Sequence, residues 1–248
     1  MATFTKSKNK VALDYAATIK SEIYGEPHYC DFSEVFYVDK NVLDKSLKPQ
    51  QWTLLHDQIQ NSILYGIDYA LRKTGDIVYE DIYSELDAFA VNYKRHEAYR
   101  GSDFHNYLLS LYERIICPVL VPNVFNILFA DREIMRQFNL VISNKISLLK
   151  KSDWPSYLKR DGVMNRCTYW PTWLQNALLR REQGHCANCQ KDLTGLVSNG
   201  KDIAVDHIVP LNMGGVNDPT NFQILCTICN TDKGGNRTNT SDMYSPFW

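Results

Sequence analysis

The chain has 248 residues, 44% of them hydrophobic, and a formal net charge of −1. That length and apolar content suit one large domain or two modest ones around packed cores, and exclude wholesale disorder. No apolar run approaches bilayer-spanning length, no apolar stretch follows the basic N-terminus, and seven cysteines make an odd count, so the composition predicts a cytoplasmic protein with no membrane role and no disulfide framework.

Residues 1–150 read as a mainly helical domain. Residues 29–40, YCDFSEVFYVDK, alternate weakly and allow a strand. After Pro49, the residues Trp52, Leu55, Ile59, Ile63, Ile67 and Leu71 recur at helical spacing, and Thr74-Gly75 ends that helix. Residues 76–99, rich in Tyr and acids, fit another helix. Ser102 is placed to cap a helix carrying Tyr107, Leu108, Leu111, Tyr112 and Ile115, which Pro118 stops. From Val124 to Leu149 the apolar pattern fits two helices meeting near Asp131. Histidines 28, 56, 96 and 105 have no ligand spacing, and Cys30, Cys117 and Cys167 form no pattern. All read as ordinary core or surface residues, and the abundant aromatics read as core packing.

Residues 151–171 contain two prolines and a glycine among mixed charges and read as a linker. Thr172 with Gln175 makes a capping box for a helix that Gly184 ends. Two C-x-x-C pairs follow, Cys186/Cys189 and Cys226/Cys229, each beside turn-forming residues. By spacing, two such pairs make a tetrahedral thiolate site for Zn²⁺. Four thiolates leave no open coordination position, so the zinc is a staple and any chemistry lies between the pairs. There stand Asp206-His207 and Asn221. Ile203–His207 is a β-type run, and strand neighbours point to opposite faces. The strand must therefore end or distort here if Asp206 and His207 serve one site.

The ordered elements C-A-N-C, V-D-H-I-V-P, G-G, N-F-Q-I-L-C, C-N and Lys233 resemble the HNH endonucleases of the zinc-stapled ββα-metal type, over roughly the last third of the chain. The resemblance implies a treble-clef-like HNH domain at 172–248; joined to the mainly helical reading of 1–150, as a domain for regulation, targeting or partner binding, and the linker at 151–171, it makes the chain an α+β protein. It assigns His207 as general base, Asp206 and Asn230 as ligands of a catalytic Mg²⁺ or Mn²⁺, and Asn221 as the residue that holds the loop and orients the base. Lys233 either reaches a phosphate or is solvated. Gly234-Gly235 limits the helix carrying Asn230 to a turn or two.

The implied activity is metal-dependent hydrolysis of phosphodiester bonds in DNA, most simply double-stranded, with an association to prokaryotic restriction or anti-phage defence. The alternative is a non-catalytic zinc-binding adaptor. Residues 165–248 carry seven Lys+Arg and seven Asp+Glu. A neutral module grips phosphates weakly, which predicts reliance on a protein partner or on self-association. The nearest cations, Lys150, Lys151, Lys159 and Arg160, read as a solvated hinge.

Overall fold

The computed structural model describes residues 6–25, 38–73, 77–95, 101–197 and 203–244. It is helix-rich, with a small two-stranded sheet near the C-terminus. The chain divides into two compact units: residues 1–31 with 56–128, and residues 32–55 with 129–248. Each unit is drawn from two separate stretches of the chain. Cys30, His28, His96, Thr74-Gly75 and most of the 29–40 segment lie outside the described residues.

The first unit is helical. Helix α1 (Lys8–Ile23) starts where the Ser7 side chain accepts from Lys10 N, and buries Val11, Ala12, Ala16, Ile19 and Ile23 at three- and four-residue intervals. Helix α2 (Lys40–Leu47) belongs to the second unit. Helix α3 (Leu54–Lys73) crosses the boundary between the units and buries Leu55, Ile59, Ile63, Ile67 and Leu71 of the stripe read from the sequence, while Trp52, read as its first member, stands before the helix and is exposed. Helix α4 (Ile77–Ala88) occupies the Tyr- and acid-rich stretch. His56 stacks on Phe125 at 3.9 Å and His105 Nε2 meets Tyr79 OH at 2.7 Å, both ordinary structural roles.

Helix α5 (Ser102–Leu111) departs from expectation. Its N-cap is Gly101, with no side-chain cap, so Ser102 is already helical. Pro118 does not stop it either. A π-helical turn, Tyr112–Ile116, widens the register so that Cys117 N donates to Tyr112 O, and the run continues as α6 (Cys117–Phe129) with Pro122 inside. Contrary to the sequence reading, the run Ser102–Phe129, with a mean hydropathy of 1.4 in its most apolar window, is long and apolar enough to cross a bilayer. Its residues Leu108, Tyr112, Ile116, Leu120, Val124 and Leu128 are buried within the structure. Cys117 is buried as well, which pushes its thiol up to about 12.

The second unit carries the cysteine pairs. Asp131 caps helix α7 (Arg132–Ile146) by accepting from Glu133 N and Ile134 N, at the junction read from the sequence. The stretch read as a linker is folded. Strands β1 (Leu158–Arg160) and β2 (Val163–Met164) form an antiparallel hairpin with Leu158, Val163 and Met164 buried. Gly162, at φ +66°, turns the hairpin; a Cβ there would lie 2.6 Å from Ser147 O, so the hairpin tip packs directly on the end of α7.

Helix α8 (Thr172–Arg181) has Pro171 as N-cap with no side-chain cap bond, so the Thr172–Gln175 capping box does not form. Gly184, at φ +72°, follows its end, and its N–H donates to Leu179 O. A short helix α9 (Thr194–Val197) follows the first cysteine pair. Strands β3 (Ile203–His207) and β4 (Phe222–Cys226) pair antiparallel from Ile203↔Cys226 to His207↔Phe222, and helix α10 (Thr227–Lys233) ends at Gly234. Leu174 and Leu178 of α8 pack on Phe222, Ile224 and Leu225 of β4 together with Cys186 and Leu193, giving the module one small core.

Candidate functional site

The four thiols converge. Their sulfur atoms lie within 4.8 Å of one another, and Cys189 Sγ is 3.8 Å from Cys226 Sγ. A tetrahedron of ~2.3 Å Zn–S bonds has sulfur edges of about 3.8 Å, so the cluster suits a structural zinc. Local structure sets the pairs. Gln190, at φ +61°, closes the first turn by donating to Cys186 O, and Ala187 N ties it to Ile224 O of β4. Cys226 is the N-cap of α10 and accepts from Cys229 N. Backbone and side-chain donors also point at sulfur: Cys226 N to Cys186 Sγ at 3.3 Å and Asn188 Nδ2 to Cys229 Sγ at 3.4 Å. Donors aimed at sulfur suit thiolates.

Between the pairs, β3 stays regular to its last residue. Asp206 and His207 therefore sit on opposite faces, each facing its cross-strand partner. Asp206 Oδ2 accepts from Gln223 Nε2 at 3.0 Å and pairs with Lys233 Nζ at 2.8 Å. The His207 ring packs on Phe222, with centroids 4.8 Å apart, and on Trp170 at 6.1 Å. The strand ends here without distortion. Beyond it Ile208 N donates to Asn221 O and Val209 N to Asn221 Oδ1, which turns the chain into the loop. Both residues nonetheless line one cleft of about 410 Å³, together with Asn230, Lys159, Arg166 and Asn212.

Asn221 is fully buried. Its Nδ2 donates to Val209 O and Val216 O, each at 2.9 Å, so its amide spans the loop 209–216. Gly215 lies inside that loop, where an added Cβ would come within 1.9 Å of Val209 O. The imidazole of His207 touches a different amide. Its Nε2 lies 3.1 Å from Asn217 Oδ1. The orientation of the Asn217 amide follows from its surroundings, since Nδ2 donates to Ser46 O, Leu47 O and Asn165 O. Oδ1 is then the acceptor, and Nε2 carries the proton. Burial is the main force on the ring; it outweighs the Asn217 bond and the nearby Asp206 carboxylate and brings the imidazole down to about 4. At neutral pH the ring is uncharged with Nδ1 bare.

Asn217 and Arg166 were not singled out in the sequence. Asn217-Asp218-Pro219 carries ordinary turn chemistry, and nothing local marks the asparagine as a neighbour of His207. Arg166 lies in the stretch read as a linker. Lys233 corrects the sequence reading in the other direction: it is neither solvated nor reaching into solvent for a phosphate. Its side chain is 3% exposed, and its ammonium is held by Asp206 and by His207 O. A short helix that ends at Gly234 aims its last residue back under β3.

The chain matches no curated protein and no solved structure. The family model for HNH endonucleases matches residues 186–236, from the first knuckle cysteine to just past α10, and so covers the cysteine cluster, Asp206, His207, Asn221 and Asn230 in the C-terminal part of the chain.

Proposed function

We propose that the C-terminal unit is a metal-dependent HNH endonuclease that hydrolyses phosphodiester bonds in DNA. One observation carries the reading: Asp206, His207 and Asn230 line the same cleft although they come from two strand faces and a helix. His207 is the general base. Its Nε2 proton is committed to Asn217, so the uncharged Nδ1 is the atom that accepts a proton from the attacking water. Asn221 shapes the loop behind the base rather than touching the ring. Asp206 and Asn230 offer a carboxylate and an amide oxygen, a hard donor set that fits Mg²⁺ or Mn²⁺. When bound, such an ion supplies charge neutralisation at the phosphorus and stabilisation of the leaving 3′ oxygen. Lys233 holds Asp206 in place until then.

The cysteine cluster takes one Zn²⁺ per chain as a staple. The first unit serves targeting, partner binding or regulation. The reading extends to double-stranded DNA as substrate, to a protein partner or self-association, and to a cytoplasmic role in prokaryotic restriction or anti-phage defence. The adaptor alternative has one observation in its favour, the prior engagement of Asp206 by Lys233.

A plasmid assay separates the two. With Mg²⁺ or Mn²⁺ the protein should nick or linearise DNA, and His207→Ala should abolish this while zinc content and melting temperature stay at wild-type values. Asp206→Ala should raise the metal concentration needed more than Asn230→Ala does. Wild-type cleavage by the His207 variant would remove the base from the scheme, and absence of cleavage by the wild-type protein, alone and with partners recovered from its host, would favour the adaptor.

A further inference from the structure

The four cations around residues 150–160 do not behave alike. Lys150 pairs with Asp161, Lys151 Nζ donates to Lys159 O, and Arg160 Nη2 reaches Asn212 Oδ1 at 3.4 Å. Lys159 and Arg166 differ from these. Both are exposed, both line the cleft that holds Asp206, His207 and Asn230, and neither side-chain cation makes a hydrogen bond or ion pair among the described residues. Asp206 is the acid on that lining, and its charge is already matched by Lys233. The cleft is therefore cationic before any metal enters, although the module as a whole is neutral.

The backbone that carries the two cations is also held in place. Lys159 stands on β1, in the hairpin whose tip rests on the end of α7. Arg166 stands between two anchored residues: Asn165 O accepts from Asn217 Nδ2 at 2.8 Å, and Cys167 N donates to Asn217 Oδ1 at 3.3 Å. Asn165 N donates to Tyr157 O, and Asn165 Nδ2 donates to Ser156 O. A backbone pinned on both sides fixes where the side chain starts, so binding a phosphate orders the side chain alone and not the segment that carries it. The same Asn217 amide holds the His207 ring, so the Arg166 backbone and the base are tied to a common point.

We infer, on the nuclease reading above, that Lys159 and Arg166 form the phosphate-binding wall of the cleft and hold two backbone phosphates of the nucleic-acid strand that passes Asp206 and Asn230. Arg166 gives a planar fork matched to phosphate oxygens; Lys159 acts as a point charge. Each neutralised phosphate on duplex DNA contributes about 0.9 to the slope of log affinity against log salt.

The test is a binding titration of the zinc-loaded full chain with a labelled 30-base-pair DNA duplex, over a KCl series without added divalent metal. Lys159→Ala and Arg166→Ala should each make the slope shallower by about 0.9, and the double variant by about twice that. Arg166→Lys should keep the slope. Arg180→Ala, an exposed cation at the end of α8 outside the cleft lining, is the control and should match wild type. Both replaced side chains are exposed, so melting curves should be unchanged. The wall is overturned if wild type binds no duplex at low salt, or if the double variant loses no more slope than Arg180→Ala does. Cleavage is scored separately: the predicted slope changes in a protein that cuts nothing would condemn the nuclease reading and leave the wall standing, whereas cleavage with unchanged slopes would do the reverse.

Discussion

The His207 imidazole rests on Asn217, not on Asn221: Nε2 and Oδ1 are 3.1 Å apart, while the Asn221 amide is spent on the backbone of the loop behind. Two asparagines four residues apart thus divide one task. Asn221 fixes where the loop runs, and Asn217 fixes which ring nitrogen carries the proton. On the proposed nuclease reading, Asn217→Ala should therefore slow cleavage by about 10- to 100-fold through a misplaced base. In ¹⁵N spectra of the imidazole, wild type should show the Nε2-protonated neutral form, and the variant should show mixed tautomers. A variant with wild-type ring shifts and wild-type turnover would return the orienting role to Asn221.

Metal removal tests the staple. Ala187 N on Ile224 O and Cys226 N on Cys186 Sγ bind the first knuckle to β4, and Cys186, Cys226 and Cys229 are buried within the module's core. In small sites of this kind the binding energy of the metal is folding energy. A strong zinc chelator, or Cys229→Ser, should unfold the C-terminal module and abolish any cleavage. Metal analysis should find one zinc per chain. Full retention of the near-UV circular dichroism after zinc is stripped would show that the core stands without it.

The pair Asp206–Lys233 predicts a metal-dependent stability. Lys233 is 3% exposed and Asp206 14%, so Lys233→Met leaves a shielded carboxylate uncompensated. Breaking a fully buried pair on one side costs about 3–5 kcal/mol; Asp206 opens on the cleft and keeps its bond from Gln223, so the loss here should fall below that range. If Asp206 is a ligand of the catalytic ion, Mn²⁺ should restore part of that loss, and should stabilise the variant more than wild type. Urea titrations with and without Mn²⁺ decide it. Equal stabilisation of both proteins would separate Asp206 from the ion.

The cysteine cluster, the strand Ile203–His207 and the buried stripe of α3 were legible because each is local: a spacing, an alternation, a helical period. The rest depends on distant backbone. Asn217 reaches Ser46 O and Leu47 O at the end of α2, and Asp218 Oδ2 accepts from Leu54 N at the start of α3, so residues near 50 help build a site near 210. No periodicity records such pairings. The hairpin at 158–164 escaped because its strands are three and two residues long, too short for alternation to show. Helix ends were misread at Ser102 and Thr172 because capping residues were present one position inside the helix. Lys233 was misread because a lysine at a helix end is usually solvated, and only the tertiary fold sets Asp206 above it.

The loop carrying the site has no room for a side chain at two successive positions. At Gly214, with φ +81°, a Cβ would fall 2.5 Å from Ser143 O, and at Gly215 one would fall 1.9 Å from Val209 O. Both obstacles are backbone and cannot swing aside. Gly215→Ala should therefore displace the loop that Asn221 holds, lowering the melting temperature and cleavage together. Gly195→Ala, where no atom of the described residues lies within 4 Å of the added carbon, is the control and should be neutral. Equal behaviour of the two variants would mean that the loop adapts freely.

The second unit holds a buried charge cluster. Glu182 is wholly buried and serves two guanidinium groups, Arg132 and Arg181, each with a side chain 1% exposed. Arg132 also donates to Ser241 O and Met243 O and lies 4.0 Å from the Tyr244 ring centroid, so it fastens the C-terminal tail; Arg181 lies over Phe129 and donates to Phe222 O at the start of β4. The three side chains sum to one positive charge, and their loss is asymmetric. Arg132→Met leaves the balanced pair Glu182–Arg181 and frees the tail. Glu182→Gln leaves two buried cations facing one another with no anion between them. A single uncompensated buried charge costs about 3–5 kcal/mol, so Glu182→Gln should be the more damaging change, by at least that order, and more damaging than Arg181→Met as well. Denaturant titration of the three variants ranks them. If Arg132→Met proves the worst, the tail contacts dominate and the shared carboxylate is a minor contributor.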